Sequence, residues 1–204
     1  MKTDTNLNLE KKIIRKRIQK ERDGLSEEAR SAKSQSIAKN LVGLPEYSNA
    51  KTIFIFYPFK SEVDTRIIIN DALIKGKNVV LPKIINNEMK TFYVSDLDKD
   101  LKKGYFGILE PEEAKCKQAK LENIDLVIVP GICFDLNFNR IGYGGGFYDK
   151  ILPKLKENAK KIALSFDLQI INKVPFCSHD KKVDAIITES KIYWNFKVNE
   201  KRNR

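Results

Sequence analysis

The chain of 204 residues (23.5 kDa) is 42% hydrophobic, which is enough for one domain with a sizeable buried core and too much for a disordered chain. No apolar run approaches the length of a membrane span, so we expect one domain over residues 1–204 and no membrane partner. The formal net charge of +11 favours an anionic partner, which a nucleic acid, a nucleotide or a polyanionic metabolite would each provide.

The N-terminal part predicts two helices. In LEKKIIRKRIQKERDGL, apolar residues fall on one side of a helix, and Lys11 and Arg15 lie four positions apart on a single face. Gly24 ends this helix, and Ser26 is the expected N-cap of a second helix that runs to about Val42.

The rest of the chain alternates apolar strands with helices. Strands are expected in KTIFIFYPF, NVVLPKI, KTFYVS, IDLVIVPG, KKIALSF and VDAIITES, with KIYWNFKV as an edge strand. Helices are expected in VDTRIIINDALIKGK and after the segment RIGYGGGFYD, where Pro153 interrupts the helical pattern. The pattern predicts an α/β fold with a mostly parallel central sheet and helices on both faces, a three-layer sandwich.

The segment RIGYGGGFYD, Arg140 to Asp149, follows a strand and precedes a helix, an arrangement that presents backbone N–H groups to an anion. Its spacing excludes two familiar phosphate loops. A GxGxxG pattern starting at Gly142 would need glycine where Phe147 stands, and no Gly-Lys-Ser/Thr is present for a Walker A loop. A flexible turn is the alternative. Arg140 favours phosphate binding, Asp149 favours Mg²⁺, and Phe147 and Tyr148 either stack on a flat heterocycle or belong to the core.

The segment VIVPGICFDLNFNRIGYGGGFYDK resembles the signature of the 5-formyltetrahydrofolate cyclo-ligase (methenyltetrahydrofolate synthetase) family, which is approximately PGxxFDxxGxRxGxGxGxYD. The chain has the family's residue at Pro130, Gly131, Phe134, Asp135, Arg140, Gly142, Gly144, Gly146, Tyr148 and Asp149. Phe138 stands where the family has glycine, and we expect Asn137 or Asn139 to adopt the positive φ instead. Four further segments resemble family elements in order: KKIIRKRIQKERDGLS, FYPFKSEVDTR, GYFGILEP (Gly107, Glu110, Pro111) and HDKKVDAIITES.

The resemblance implies a role for each matching residue. Lys11 and Arg15 would contact the ATP phosphates, Tyr57 and Glu62 the folate, and Asp149 and Asp184 would be the metal ligands. Arg140 and Lys11 would be the catalytic residues. The ATP cradle would comprise Arg140, Ile141, Gly142, Tyr143, Gly144, Gly145, Gly146, Phe147 and Tyr148, of which Tyr143, Gly144, Gly145, Gly146 and Phe147 would also contact the folate.

The resemblance also implies the reaction, in which ATP and Mg²⁺ are the cofactors. The formyl oxygen of 5-formyltetrahydrofolate is phosphorylated, N10 attacks, and 5,10-methenyltetrahydrofolate, ADP and phosphate result. The expected partner is this small molecule, with or without a polyglutamate tail, and not a nucleic acid; the protein is expected to be a monomer. Two alternatives stay open: a basic nucleic-acid-binding protein, and an ATP-dependent ligase of another metabolite on the same fold.

Structural roles compete with several of these assignments. Lys11 and Arg15 lie among so many basic residues that a solvated helix face is an alternative, and Glu62 could complement a helix dipole. Asp135 is expected to cap a turn, and His179 to be structural. Cys116, Cys133 and Cys177 form neither a disulfide framework nor a metal pattern, and the latter two are expected to be small apolar residues. With no secretory signal at the start, MKTDTNLNLEKKIIRKR, a cytoplasmic protein is expected.

Overall fold

A computed structural model describes residues 4–104 and 107–196, with the side chains of residues 4 and 5 excepted. The basic end NEKRNR and two residues of GYFGILEP lie outside the described part. The helices are α1 Asp4–Asp23, α2 Glu27–Val42, α3 Pro45–Asn49, α4 Arg66–Ile74, α5 Leu97–Asp100 and α6 Phe147–Ile151. None of these helices is long and apolar enough to cross a membrane.

The strands form one large sheet and two small ones. They are β1 Thr52–Phe54, β2 Asn78–Ile85, β3 Glu88–Val94, β4 Leu101–Lys103, β5 Leu109–Pro111, β6 Leu126–Val129, β7 Cys133–Phe134, β8 Arg140–Ile141, β9 Lys160–Leu164, β10 Ala185–Ile187 and β11 Ile192–Trp194. The large sheet has the order β11-β10-β9-β6-β1-β2-β3, in which only the two edge strands, β11 and β3, run antiparallel to their neighbours. The mostly parallel sheet is therefore confirmed, as is the edge position of KIYWNFKV.

Both faces of the sheet are buried, because successive side chains of a strand point to opposite sides. Ile53 and Ile55 contact a core that includes residues of α2, α3 and α4, whereas Phe54 contacts a second core with α6. The second layer is thin, since α6 stops at Ile151 and a 3₁₀ turn containing Pro153 follows it. The three-layer α/β sandwich is confirmed, with unequal outer layers.

Gly24 and Ser26 end one helix and cap the next, as the sequence predicts. The α1 helix ends at Asp23, and the N–H of Gly24 donates to the carbonyl of Lys20 (3.1 Å). The Ser26 hydroxyl accepts from the N–H of Ala29 at 3.1 Å, which satisfies one of the free N–H groups at the start of α2. Ile18 of α1 is buried against the β7–β8 hairpin rather than against the large sheet. The basic helix is thereby held beside the glycine segment.

The hairpin turn between β7 and β8 corrects the prediction for residues 137–139. Phe138 itself has a φ of +64°, and neither Asn137 nor Asn139 has a positive φ. As expected, Asp135 holds the turn. Its fully buried carboxylate accepts the N–H groups of Asn137 and Asn139 at 3.0 Å. The same carboxylate accepts the N–H of Val174 at 2.9 Å. This network imposes the left-handed conformation on whichever residue stands at position 138, at a cost of about 1–2 kcal/mol for a side chain other than glycine.

We predict that Phe138→Gly is more stable than Phe138→Ala by about 1 kcal/mol, because both variants lose the phenyl ring and only alanine is strained at positive φ. Urea unfolding measures the difference. The same pair at Ile67, on the exposed side of α4, is the control, because glycine is there the less stable variant by about 1 kcal/mol. If the glycine variant were less stable than the alanine variant at both positions, the result would contradict the strain at Phe138.

Candidate active site

The glycine segment lies at the carboxyl end of β6, where open α/β sheets bind their ligands. It forms one wall of a cavity of about 300 Å³. The other walls come from α1, from β3 and from the segment 177–180, so that four distant parts of the chain meet there. The lining residues are Asn8, Lys11, Arg15, Met89, Pro130, Arg140, Ile141, Gly142, Tyr143, Gly144, Gly145, Gly146, Phe147, Tyr148, Asp149, Cys177 and Asp180.

Arg140 and Asp149 form an ion pair at the centre of this wall. Arg140 lies on β8 and is 5% exposed, and its Nη2 donates to Asp149 Oδ1 at 2.7 Å. Asp149 Oδ1 also accepts the N–H of Lys181 at 3.1 Å. Arg140 Nε and the hydroxyl of Tyr148 are buried without a hydrogen-bond partner. Because an unsatisfied buried polar group costs about 1–3 kcal/mol, these two atoms indicate that a ligand or water completes the site.

The glycines keep the cavity wall free of side chains. Gly144 has a φ of +111°, and a Cβ atom there would lie 3.9 Å from the guanidinium carbon of Arg15, inside the space between α1 and the loop. A Cβ atom at Gly142 would lie 2.9 Å from Arg140 Nη1. Any side chain at these positions would fill the cradle or displace an arginine, so the bare backbone can approach a ligand closely.

Lys11 and Arg15 face the cavity from α1. They share a helix face with Ile18, whose burial against the hairpin turns that face toward the glycine segment. Arg15 Nε donates to the carbonyl of Gly142 at 2.7 Å, and Lys11 is only 7% exposed. The solvated-face alternative is therefore wrong for Lys11.

The segment 177–181 is a part of the site that the sequence analysis missed. Asp180 Oδ2 lies 2.5 Å from Lys11 Nζ and accepts the N–H of Cys177 at 2.8 Å. Burial raises the pKa of the Asp180 carboxyl, but the Lys11 ammonium and the Cys177 N–H outweigh it, and the net pKa lies below the ordinary value. The segment HDKKVDAIITES, which carries part of the family resemblance, includes Asp180. The resemblance assigns a role to Asp184 in this segment and none to Asp180.

The cysteines differ from one another. Burial raises the pKa of the Cys133 thiol to about 12, in agreement with an inert core residue. Cys177 lines the cavity instead, with its Sγ 3.5 Å from Asp180 Oδ2 and 4.0 Å from Nδ1 of His179. Cys177 is therefore not only the small apolar residue that the sequence predicts, because it also lines the cavity.

Glu62 adjoins the cavity through Tyr143. The Tyr143 hydroxyl donates to Glu62 Oε1, and the N–H of Phe59 donates to Oε2 at 2.9 Å. The guanidinium of Arg22 lies 5.9 Å from the centre of the Tyr143 ring. Burial raises the pKa of the Glu62 carboxyl above its ordinary range despite the opposing effects of Tyr143, Phe59 and Arg22. A buried, hydrogen-bonded carboxyl group that contacts a tyrosine of the cavity wall is suited to accept N–H groups of a ligand.

The two aromatic residues after the glycines have different environments. Tyr148 is 8% exposed and stacks on Phe54, with ring centres 5.8 Å apart and planes inclined by 11°. Phe147 is half-buried and contacts both the cavity and a groove beside it. Tyr148 is therefore mainly a core residue whose hydroxyl reaches the site, whereas Phe147 is available to a ligand.

Besides Glu62, which adjoins the cavity through Tyr143, two predicted residues do not line it. Tyr57 is half-buried against the core beneath α2 and α4. Asp184 is 4% exposed, and its carboxylate accepts the N–H of Lys161 at 2.9 Å at the amino ends of β9 and β10. The structure thus uses the Asp184 carboxylate to connect β9 and β10, and its role as a metal ligand stays a prediction. Within the described residues, no group of three or more His, Cys, Asp or Glu side chains is placed to hold a metal.

Comparisons with known proteins agree with this geometry. Residues 8–189 match the model of the 5-formyltetrahydrofolate cyclo-ligase family. A probable 5-formyltetrahydrofolate cyclo-ligase of Schizosaccharomyces pombe is 30% identical over 203 residues, covering 93% of this chain and 100% of the relative. The 5-formyltetrahydrofolate cyclo-ligase of Mus musculus is 30% identical over 193 residues, covering 90% and 95%.

Solved structures show the same fold. The 5,10-methenyltetrahydrofolate synthetase of Aquifex aeolicus superposes with a TM-score of 0.81 at 33% identity, covering 90% of this chain and 92% of that one. The enzyme of the same name from Mycoplasma pneumoniae superposes with a TM-score of 0.71 at 25% identity, covering 88% and 98%. The sequence match, the shared fold and the glycine-lined cavity agree, and the chain belongs to the 5-formyltetrahydrofolate cyclo-ligase family.

Proposed function

We propose that the protein catalyses the ATP- and Mg²⁺-dependent cyclisation of 5-formyltetrahydrofolate to 5,10-methenyltetrahydrofolate, with release of ADP and phosphate. One observation carries the proposal: Lys11, Arg15 and Arg140 converge on a glycine-lined cavity that also contains Asp149. A concave site of about 300 Å³ suits a small ligand, whereas a nucleic acid would require an extended cationic face.

The residues present fit a triphosphate. Arg140 Nε and the Tyr148 hydroxyl are buried donors that lack an acceptor, and phosphate oxygens are acceptors. Arg15 forms no ion pair with a described carboxylate, so its charge is available to an anion. Gly142, Gly144 and the glycines after them line the same wall, and their backbone amides would be further donors. Two guanidinium groups and an ammonium would neutralise the phosphate oxygens while the backbone holds them.

Asp149 is the residue that fits Mg²⁺. Its hydrogen bonds to described residues both involve Oδ1, which leaves Oδ2 for a metal. Mg²⁺ is commonly held by one or two carboxylates together with phosphates and water, so a protein cage is not required. Asp184 is not included in this proposal, because its carboxylate is used between β9 and β10.

The folate would lie on the Glu62 and Tyr143 side. Glu62 would accept N–H groups of the pterin, and Tyr143 and Phe147 would contact its ring. A groove of about 590 Å³ shares Met89 and Phe147 with the cavity. Its lysines would attract the carboxylates of a glutamate tail; they are Lys90, Lys120, Lys150 and Lys154. Tyr57 would act only from behind this site, by packing.

The chemistry assigned to the chain is positioning and neutralisation of charge. ATP, when bound, supplies the phosphoryl group that converts the formyl oxygen into a leaving group. Lys11, Arg15 and Arg140 would bind the phosphates and neutralise their charge, and Glu62 would orient the pterin. The buried walls would limit the access of water during the transfer.

We predict that the purified protein forms the methenyl product from 5-formyltetrahydrofolate, ATP and Mg²⁺, and the absorbance of the product measures this. We further predict that Arg140→Lys lowers kcat by about 10²–10³-fold. The lysine keeps a charge beside Asp149 but loses the planar fork. Arg17→Lys is the matched control, because Arg17 forms an exposed pair with Glu21 on the same helix as Lys11. A folded wild-type protein without product would contradict the proposed activity.

We predict that Gly144→Ala weakens Mg-ATP binding at least about tenfold, whereas Gly76→Ala leaves it unchanged. Both glycines have positive φ, so both variants lose about 1–2 kcal/mol of stability. Only at position 144 does the new methyl group enter the cradle, since nothing lies within 4 Å of a Cβ atom at Gly76. Calorimetric titration with Mg-ATP separates the two effects, and equal binding by the two variants would place the phosphates elsewhere.

We predict that Glu62→Gln becomes more stable relative to the wild type as the pH rises from about 4 to about 8. Burial raises the pKa of Glu62 in the folded state above the value of 4.5 expected for the unfolded chain. The wild type therefore holds this proton at low pH and loses the corresponding stability as the pH rises through the folded pKa, a loss that glutamine avoids. Urea unfolding at several pH values measures it, with exposed Glu122→Gln as control. A difference that does not change with pH would contradict the buried carboxyl.

A further inference from the structure

We propose that Arg22, in the last turn of α1, is a positioning residue that orients the Glu62 carboxyl on the folate side of the site. It acts through Ser61 and Tyr143, the two side chains that its guanidinium contacts. Arg22 itself does not line the cavity. The inference rests on the proposed function, since it takes Glu62 as a contact of 5-formyltetrahydrofolate.

Arg22 is a buried cation that forms no ion pair with a described carboxylate. It is only 2% exposed, and burying a guanidinium is costly unless its charge and its donors are matched. Its Nε donates to the Ser61 hydroxyl at 3.0 Å, and its guanidinium carbon lies 5.9 Å from the centre of the Tyr143 ring. The end of α1 thus directs a positive charge at two residues that each lead to Glu62.

Glu62 is presented by the backbone turn 59–62. The N–H of Glu62 donates to the carbonyl of Phe59 at 3.1 Å, and the N–H of Phe59 donates to Glu62 Oε2 at 2.9 Å. Lys60, inside this turn, has a φ of +52°, a conformation that costs a residue other than glycine about 1–2 kcal/mol. The turn is therefore strained, and contacts from outside it are needed to hold its geometry.

Ser61 connects this turn to α1. Its hydroxyl accepts from Arg22 Nε and donates to Asp23 Oδ1, so its hydrogen bonds are both directed at the end of the helix. Asp23 is exposed, whereas the bond between Arg22 and Ser61 is buried and shielded from water. Because Ser61 directly precedes Glu62 in the chain, this buried bond fixes the position from which the carboxyl extends.

The second route from Arg22 to Glu62 runs through the Tyr143 hydroxyl, which donates to Glu62 Oε1. Burial, followed by the Glu62 charge, raises the pKa of Tyr143 above its ordinary value, so this hydroxyl remains a neutral donor. Burial also raises the pKa of Tyr148, which faces Glu62 from α6. Among the described side chains that face Glu62, Arg22 supplies the positive charge, and this charge opposes the burial that raises the pKa of Glu62.

Arg22→Gln tests the proposal, because glutamine retains an N–H donor but loses the charge that faces Glu62. We expect the Kd for 5-formyltetrahydrofolate, measured by calorimetric titration, to rise about tenfold. The Kd for Mg-ATP should stay unchanged. Arg22→Lys, which retains the charge, should recover a large part of the affinity for the folate. Arg17→Gln is the matched control, since that arginine is exposed on the same helix.

A pH series separates the effect of the charge from a packing defect. Loss of the cation raises the pKa of Glu62 further, and a protonated carboxyl accepts fewer N–H groups than a carboxylate. As the pH is lowered, the affinity of Arg22→Gln for 5-formyltetrahydrofolate should therefore begin to fall at a higher pH than that of the wild type. Titration of the folate itself is common to both proteins and cancels in the comparison. A loss by the same factor at every pH would contradict the role of the charge.

A double-mutant cycle establishes the route. If Arg22 acts through Glu62, Arg22→Gln weakens folate binding no further once Glu62→Gln is present. Additive effects, an equal loss of affinity for Mg-ATP, or wild-type folate binding by a folded Arg22→Gln protein would overturn the proposal and leave the proposed function intact. A folded wild type that does not bind 5-formyltetrahydrofolate would overturn both.

Ser61→Ala keeps the proposal testable if Arg22→Gln does not fold, which far-UV circular dichroism and urea unfolding establish. This variant removes only the neutral partner of Arg22 and leaves the buried charge in place. We expect its Kd for 5-formyltetrahydrofolate to rise about threefold, with an unchanged Kd for Mg-ATP. Unchanged folate binding by the folded Ser61→Ala protein would show that the turn does not depend on this contact, and would overturn the proposal.

Discussion

The ion pair between Arg140 and Asp149 is the contact on which the site depends, because a guanidinium that is 5% exposed is costly unless it is paired. The pair joins β8 to the start of α6 across the glycine segment, and Asp149 extends it to Lys181 through a backbone N–H at 3.1 Å. One Arg140 nitrogen is nonetheless left without a partner. The ion pair therefore holds the two ends of the glycine segment together, while the unpaired Arg140 nitrogen can still donate to an anion. A phosphate site requires both properties.

The fold supplies the remaining charges from both ends of the chain. The α1 helix does not pack on the large sheet; it lies against the β7–β8 hairpin through Ile18, and that contact directs Lys11 and Arg15 to the glycines. From the other end, the segment 177–181 closes the opposite side of the cavity. The net charge of +11 therefore acts in two ways. In the proposed function, a few cations in the cavity wall would bind the phosphates, and the many exposed lysines, including those of the adjoining groove, would attract an anionic substrate.

Features that depend on neighbouring residues could be predicted from the sequence. Ser26 caps α2 because its hydroxyl needs only the next turn of the same helix, and the strands of the sheet follow from local apolar runs. The glycine segment and Lys11 followed from a resemblance carried by ordered motifs. Asp184 and Asp180 could not be separated in this way: both are aspartates in one short polar stretch, and only the tertiary structure puts one between β9 and β10 and the other beside Lys11. The φ of Phe138 likewise depends on Asp135, whose buried carboxylate fixes the turn from both sides.

The energetic costs of this structure are concentrated around the cavity. Phe138 is strained in the turn that leads to Arg140, Glu62 is a carboxyl whose pKa burial raises, and two buried donors lack acceptors. Each of these reduces stability, and a fold selected for stability alone would replace them with glycine at position 138 and apolar groups elsewhere. The two unpaired donors would gain an acceptor from the proposed anion. Glu62, which already accepts from Tyr143 and Phe59, would accept further N–H groups from the proposed folate. Binding would then return part of the free energy that folding leaves unsatisfied. Phe138 gains nothing from a ligand, and its strain is instead offset by the packing of its ring against the core beneath α6.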